Sequence, residues 1–452
     1  MKELVVVGGG LAGCEAAFQA AIRGINVKLY EMRPEKMTPA HTSGQLAEII
    51  CSNSFGSLLP DRASGLLIQE LKQFGSFLIQ IAEESAVPAG GSLAVDRELF
   101  SKNVSAQLQE FSNIQIIREE MPQIPDVPAI IASGPLTSGR LSESIQEFTG
   151  LEQFYFYDAI APIIHKDSID MSIAFQASRF GASKGQTDDY INCPLSKEEF
   201  TLFVEELISA ERIQLQTMEG EIENGVKAGK GSFFEGCLPV EVIASRGQRS
   251  LTFGPMRPIG LSDPRIEQRP YAVLQLRQDN LAASLYNMVG FQTNLKFSEQ
   301  ERVFRMIPGL QNAEFVRFGQ MHRNSFIASP AVLQATLQTI NRSDLFFAGQ
   351  ISGVEGYLGN IGTGLLAGIN AANFINDKDL LTPPSSTMLG ALCRYITECP
   401  LKDFQPMKAN FGILPELDHQ ARTRLERTAQ HVQNARLAMN KYLMENEKVL
   451  RP

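Results

Sequence analysis

MKELVVVGGGLAGCEAA, residues 1–17, is the stretch on which the fold turns. Its apolar run at 4–7 has the pattern of a strand buried on both faces of a parallel sheet. Residues 11–23 read as a helix, and Gly24 stands where a helix-terminating glycine belongs. A second strand follows at 26–30. This βαβ start predicts a Rossmann-like, doubly wound α/β domain. Between strand and helix, Gly8-Gly9-Gly10-Leu11-Ala12-Gly13 fits the pattern GxGxxG. Gly8 permits the tight turn, Gly10 lets backbone N–H groups approach a pyrophosphate, and Gly13 lets the helix lie close to the strand. The helix N-terminus adds a favourable field for phosphates. Glu31 closes the second strand 23 residues after Gly8, where a carboxylate can accept hydrogen bonds from ribose hydroxyls. A bound dinucleotide is the expectation.

Working outward, 114–117 and 129–132 read as further short strands, the second ending at Ser133-Gly134-Pro135. From about residue 151 the texture changes: Phe154, Tyr155, Phe156 and Tyr157 cluster, strands alternate, and a helix is expected at 197–210. A strand near 343–348 then leads into Gly349-Gln350-Ile351-Ser352-Gly353-Val354-Glu355-Gly356-Tyr357, with a helix expected from about 363 to 374. A strand, a glycine turn and a helix more than 300 residues after the first set favour FAD over NAD. The first loop holds one end of such a cofactor, and a second helix N-terminus meets the ring. Gly349, Gln350, Glu355 and Gly356 join Gly8, Gly9, Gly10, Leu11, Ala12, Gly13 and Glu31 as cofactor-binding candidates. The expected organisation is an FAD-binding domain in two parts, 1–150 and 321–380, an inserted α+β substrate domain at 151–320, and a mostly helical segment at 381–452 after a proline-rich linker at 382–387.

Hydrophobic residues at 44% and charged residues at 20% are ordinary for a globular protein, and no apolar run approaches the ~20 residues of a membrane span. The N-terminus carries no apolar segment long enough for a signal peptide, so the expected location is cytoplasmic. The six cysteines form no CxxC pair and read as thiols in a reducing compartment. The histidines show no paired spacing with cysteine, and no metal site is expected. A net charge of −9 argues against a general nucleic-acid binder, yet Arg246, Arg249, Arg257, Arg265, Arg269 and Arg277 face only Asp263 and Glu267 in that stretch. Arg305, Arg317, His322 and Arg323 form a second basic group, and Arg422, Arg424 and Arg427 a third.

Several segments together carry a family resemblance: GGGLAGCEAA at 8–17, Cys51-Ser52-Asn53-Ser54-Phe55, Asp189-Tyr190-Ile191-Asn192-Cys193-Pro194, Phe234-Glu235-Gly236-Cys237-Leu238-Pro239, Phe253-Gly254-Pro255-Met256-Arg257-Pro258, the 350–357 stretch, and Phe404-Gln405-Pro406-Met407. The chain resembles the folate- and FAD-dependent tRNA (uracil-5-)-methyltransferases, the TrmFO family. The related MnmG proteins share the first glycine loop but are expected to carry a long additional C-terminal region. The stretch at 181–186 is longer than the family's usual turn. The resemblance implies methylation at C5 of the T-loop uridine of tRNA (position 54), with methylenetetrahydrofolate as carbon donor, FAD as carrier and NAD(P)H as reductant. It assigns Cys237 as the nucleophile that adds to uracil C6, and Cys51 as the second functional cysteine, a base or proton shuttle near the flavin. The other four cysteines are expected to be structural. The target uridine is stacked within a folded loop and must be extruded, so the partner surface is the T-arm, with the 246–277 arginines as candidate phosphate contacts. His322-Arg323-Asn324 is a candidate contact for folate glutamate or RNA phosphate, or an ordinary surface turn. Three other readings stay open beside this one: an MnmG-like flavin-dependent tRNA modification protein, a generic NAD(P)H:flavin oxidoreductase for a small metabolite, and a flavin-stabilised RNA-binding protein without catalysis.

Overall fold

The first strand, Glu3–Val7, is buried at four of its five positions and lies at the centre of a five-stranded parallel sheet. Asn26–Tyr30 and then Ile114–Ile117 extend the sheet on one side, and Ala129–Ile131 and then Leu345–Phe347 on the other. The computed structural model describes residues 2–151, 154–179, 189–213, 238–263, 265, 269–417 and 423–450, with residues 154–158 and 322–323 described by their backbone alone. The crossover helix Leu11–Ala21 is almost wholly buried. It packs beside a second long helix, Tyr357–Ile375, and both lie against the strands. Small residues make the close approach of the two helices possible: a Cβ on Gly364 would stand 2.2 Å from the Ala12 carbonyl oxygen, and one on Gly368 2.5 Å from that of Ala16. Gly13 is as tightly placed, its imagined Cβ falling 1.8 Å from the Gly8 carbonyl oxygen.

The chain leaves this unit along Phe154–Ala159 and returns along Met321–Phe326, two antiparallel strands paired with each other. Between them lies a six-stranded sheet, whose adjacent strands Tyr190–Leu195 and Ala272–Gln278 pair antiparallel from Tyr190 opposite Arg277 to Leu195 opposite Ala272. This sheet has its own core, built from residues between Ile164 and Ala313, among them Phe200, Phe203, Phe291 and Phe304. The helix expected at 197–210 is Lys197–Ser209, started by a Ser196–Glu199 capping box. The fold is therefore a Rossmann-like α/β unit with an inserted α+β unit and a mostly helical C-terminal segment.

That C-terminal segment packs back onto the first core, to which Met388, Leu392, Ala435 and Met439 all contribute. A buried carboxylate helps hold it there. Glu70 accepts from Met388 N at 2.8 Å and Leu389 N at 2.9 Å, at the start of the helix Met388–Glu398. Burial pushes the Glu70 carboxyl up to about 7, against the lowering effect of those two bonds. Glu15 receives Ser76 Oγ, Phe77 N and Leu78 N at the start of the helix Phe77–Glu84 in the same way. Among the described residues no helix is long and apolar enough to cross a membrane.

Candidate active site

A cleft opens at the C-terminal ends of the parallel strands, the position where doubly wound sheets take their ligands. Gly8, Gly10, Leu11, Ala12, Glu31, Gly349 and Gln350 line it, together with Ser133-Gly134-Pro135, Tyr357 and Asn360. The two glycine stretches thus meet across one cavity although they are far apart in sequence. Gly9 and Gly13 serve the loop from behind: Gly9 N donates to Glu31 Oε2 at 3.0 Å, while Gly13 supports the Gly8 turn. Gly356 is the N-cap of the helix Tyr357–Ile375, which begins about six residues before the expected start. Glu355 accepts from Gln350 Nε2 at 3.0 Å. Its own N–H donates to Met407 O at 2.9 Å, and Met407 N donates to Gly353 O at 3.0 Å. The 404–407 motif is accordingly a strap over the second glycine stretch, with the Phe404 ring packed where Gly353 leaves no room for a side chain.

Glu31 departs from its expected role in one respect. Its Oε1 accepts from Arg33 N at 3.0 Å and Arg33 Nε at 2.9 Å, and its Oε2 from Gly9 N and from Arg33 Nη2 at 3.1 Å. The usual four accepting directions of a carboxylate are taken, so a ribose hydroxyl has to share them. Burial raises the Glu31 pKa, but the hydrogen bonds and charge of Arg33 outweigh it, and the net shift is downward. Arg33 is 2% exposed and also reaches the half-buried Glu48 at Oε2, 2.8 Å, so the loop rests on a Glu–Arg–Glu set whose first two members are buried.

Cys51 lies half-buried where the two units meet. Its N–H donates to the Tyr357 hydroxyl at 3.0 Å, and its carbonyl accepts from Arg97 Nη2 at 2.6 Å. Arg97 also donates to Ile49 O at 2.8 Å and makes a buried ion pair with Asp279 at 2.9 Å. Arg277 Nε donates to Asn53 Oδ1 at 2.8 Å, and Asn53 Nδ2 bridges Val95 O and Gln278 O. Arg97, Arg277 and Arg317 all stand close enough to interact electrostatically with Cys51 and Asp279. Negative charge arising beside Cys51 therefore meets a positive field in a poorly hydrated place. Burial, with Cys51 nearby, pushes the Tyr357 hydroxyl far up, so it stays protonated. The 51–55 and 189–194 motifs serve the same junction: Asp189 Oδ2 accepts from Gly90 N at 2.7 Å, and Tyr190 Oη donates to Ala89 O at 3.1 Å.

The other nominated residues divide. Cys237 and the 181–186 stretch lie outside the described residues. Cys14 is buried with its thiol 3.2 Å from Gly9 O, and burial holds Cys193 and Cys393 as thiols, each pushed up to about 12. Arg277, expected at the RNA surface, is 7% exposed and committed to Ser52 and Asn53. Arg265 is spent on Asp263 and on the carbonyls of 171–174. Arg305 is held by Ala313 O and Glu301. The 322–324 triplet runs in the strand Met321–Phe326 rather than in a turn, and Asn324 is buried. Among the described residues no three His, Cys, Asp or Glu gather as a metal site. Arg97, Asp279 and Asn360 are not legible as site residues, because their partners or the cavity they face are remote in sequence, and Arg33 and Glu48 carry no motif that marks them.

A family model described as Glucose inhibited division protein A matches residues 3–379. The chain is 51% identical to the Methylenetetrahydrofolate--tRNA-(uracil-5-)-methyltransferase TrmFO of Bacillus pumilus, over 95% of this chain and 96% of that protein. It is 52% identical to the protein of the same name from Moorella thermoacetica, with 94% of each chain covered. Among solved structures, Aquifex aeolicus GidA in its form I crystal shares the fold with a TM-score of 0.68 at 17% identity, covering 99% of this chain and 77% of that one. The chain belongs to the TrmFO family, and to the Glucose inhibited division protein A family whose model it matches.

Proposed function

We propose that this chain holds FAD in the cleft and methylates C5 of the T-loop uridine of tRNA, with methylenetetrahydrofolate as carbon donor and NAD(P)H as reductant, in the cytoplasm. The observation that carries the reading is the meeting of both glycine stretches on one cleft whose wall, Tyr357, is bonded to the backbone of Cys51. Three features support the fit to a flavin dinucleotide. The helices Leu11–Ala21 and Tyr357–Ile375 both start at glycines with no side-chain cap, leaving N–H groups for a pyrophosphate and for the polar edge of a ring. A Cβ on Gly10 would meet no protein atom within 4 Å, which leaves the space a phosphate needs. Asn360 Oδ1 is buried at the cleft without a hydrogen-bond partner among the described residues, an acceptor available to a ligand N–H.

The flavin, when bound, supplies the carrier and redox chemistry. The protein's own part concerns the uracil. The Cys237 sulfur adds to C6, electron density moves onto C5 and the O4 enolate, and C5 takes the methylene-level carbon, whose bond to its donor breaks and whose reduction to methyl would draw on the two electrons that NAD(P)H supplies. The C5 proton then leaves to a base, assigned to Cys51, and the Cys237 thiolate is eliminated as the ring is restored. The guanidinium groups around Cys51 suit stabilisation of the enolate. The assignment of 1–150 and 321–380 to cofactor, 151–320 to substrate and 381–452 to a supporting helical segment belongs to the same proposal.

Two glycine substitutions test the cofactor site by failing in different ways. Gly10→Ala should fold with the melting temperature of the flavin-free parent yet purify without flavin absorbance, because its methyl enters only the ligand space. Gly13→Ala should lose stability itself, by about 1–3 kcal/mol or more, because its methyl collides with the Gly8 carbonyl. A Gly10→Ala protein carrying full flavin would contradict the placement of the cofactor.

A further inference from the structure

The 253–258 motif touches neither the cleft nor Cys51, and its first residue, Phe253, is 73% exposed. The Arg249 guanidinium lies over the Phe253 ring, 5.5 Å from its centroid. Phe253 forms one wall of a second cleft, with Ile259 (53% exposed), Tyr271, Arg249, Arg269 and Lys197. We infer that this cleft is a stacking and phosphate-binding platform for a looped segment of RNA, remote from the reacting base; the inference rests on the tRNA reading above.

Charge separates this surface from the rest of the basic group. Arg265 and Arg277 are consumed inside the protein, whereas Lys197, Arg249 and Arg269 have no ion-pair partner among the described residues. Of the acidic residues beside them, Glu199 is committed to capping Ser196, and Glu198 lines the same cleft as the three cations. On a chain of net charge −9, an exposed aromatic ring among unpaired cations is complementary to a polyanion that also offers flat π faces. A second copy of the same acidic chain fits it less well.

The position is set by the sheet. Leu195 pairs with Ala272 at the cleft end of the two long strands, and Tyr190 pairs with Arg277 at the other end. Arg277 is the residue that reaches Ser52 and Asn53 beside Cys51. Five strand residues, at about 3.4 Å each, separate the two ends by roughly 17 Å. That is the length of about five stacked bases. The strand pair then acts as a ruler: one part of the RNA rests on Phe253 while the extruded uridine enters at Cys51.

Affinity of the full-length protein for unmodified tRNA, measured by filter binding across a salt series, tests the platform. Phe253→Ala should weaken binding about 5-fold or more, from the loss of one stacked base, and Phe253→Trp should retain parental affinity. Replacing both Arg249 and Arg269 by glutamine should make the salt dependence shallower by between one and two charges. The flavin content of each variant reports that it is folded. Parental affinity in Phe253→Ala would overturn the inference, as would an altered sedimentation coefficient with unaltered tRNA binding, which would assign the patch to self-association. A parent protein that binds no tRNA would contradict the proposed function, and this platform with it.

Discussion

A tRNA carrying 5-fluorouridine at the target position should become covalently attached to this protein, and Cys237→Ala should abolish the adduct. Addition of a thiolate to C6 requires nothing of the C5 substituent, so the first bond forms normally. Once C5 has taken the carbon from methylenetetrahydrofolate, forward release requires a proton to leave C5, and fluorine cannot leave in its place. The adduct therefore accumulates and is read on a denaturing gel as a tRNA-shifted band. Cys51→Ala should behave differently. Its loss should cut turnover on ordinary tRNA by roughly 10²–10⁴-fold, the usual contribution of a positioned acid or base, while the fluorinated adduct still forms. An adduct that persists in Cys237→Ala and vanishes in Cys51→Ala would reverse the two roles.

The second large effect concerns Arg97, which joins the two units beneath Cys51. Arg97→Ala removes three things at once: the cation facing Asp279, which is 3% exposed, and the donors to the carbonyls of Ile49 and Cys51. An unpaired carboxylate left buried costs about 3–5 kcal/mol, a large fraction of a domain's stability. The denaturant midpoint should fall accordingly. The Arg97→Ala, Asp279→Ala double variant should be less destabilised than the sum of the single changes, since the stranded charge is gone. Arg97→Lys should recover part of the ion pair but not the fork that holds both carbonyls, so methyl transfer should stay impaired. Additive losses in the double variant would mean that the ion pair does not support the Cys51 segment.

What could be read in the sequence was local. The first glycine turn, its two strands and its helix are fixed by neighbours within about 25 residues. The strands Asn26–Tyr30 and Ile114–Ile117 stand where the apolar pattern put them. The expected start of the helix Tyr357–Ile375 falls too late because Gly359 and Gly362 oppose helix by propensity, as Gly364 and Gly368 do farther along. Tertiary packing overrides them, since only hydrogen side chains let this helix lie on Ala12 and Ala16. Arg277 looked like surface charge because its partner Asn53 is 224 residues away, and strand charge alone gives no sign of burial. The same distance hid the Cys51 junction: its Tyr357 and Arg97 contacts span 306 and 46 residues. The 404–407 motif carried the family resemblance without disclosing its strap role, which needed the second glycine stretch brought alongside.

The most direct test follows one carbon. The purified protein is incubated with unmodified tRNA, NAD(P)H and methylenetetrahydrofolate labelled in its one-carbon unit, with S-adenosylmethionine absent, and the digested RNA is analysed by mass spectrometry. Label should appear in 5-methyluridine from the T-loop, and Gly10→Ala, lacking flavin, should give none. Labelled methyl arriving from S-adenosylmethionine alone, or tRNA left unlabelled by a protein with full flavin occupancy, would contradict the account.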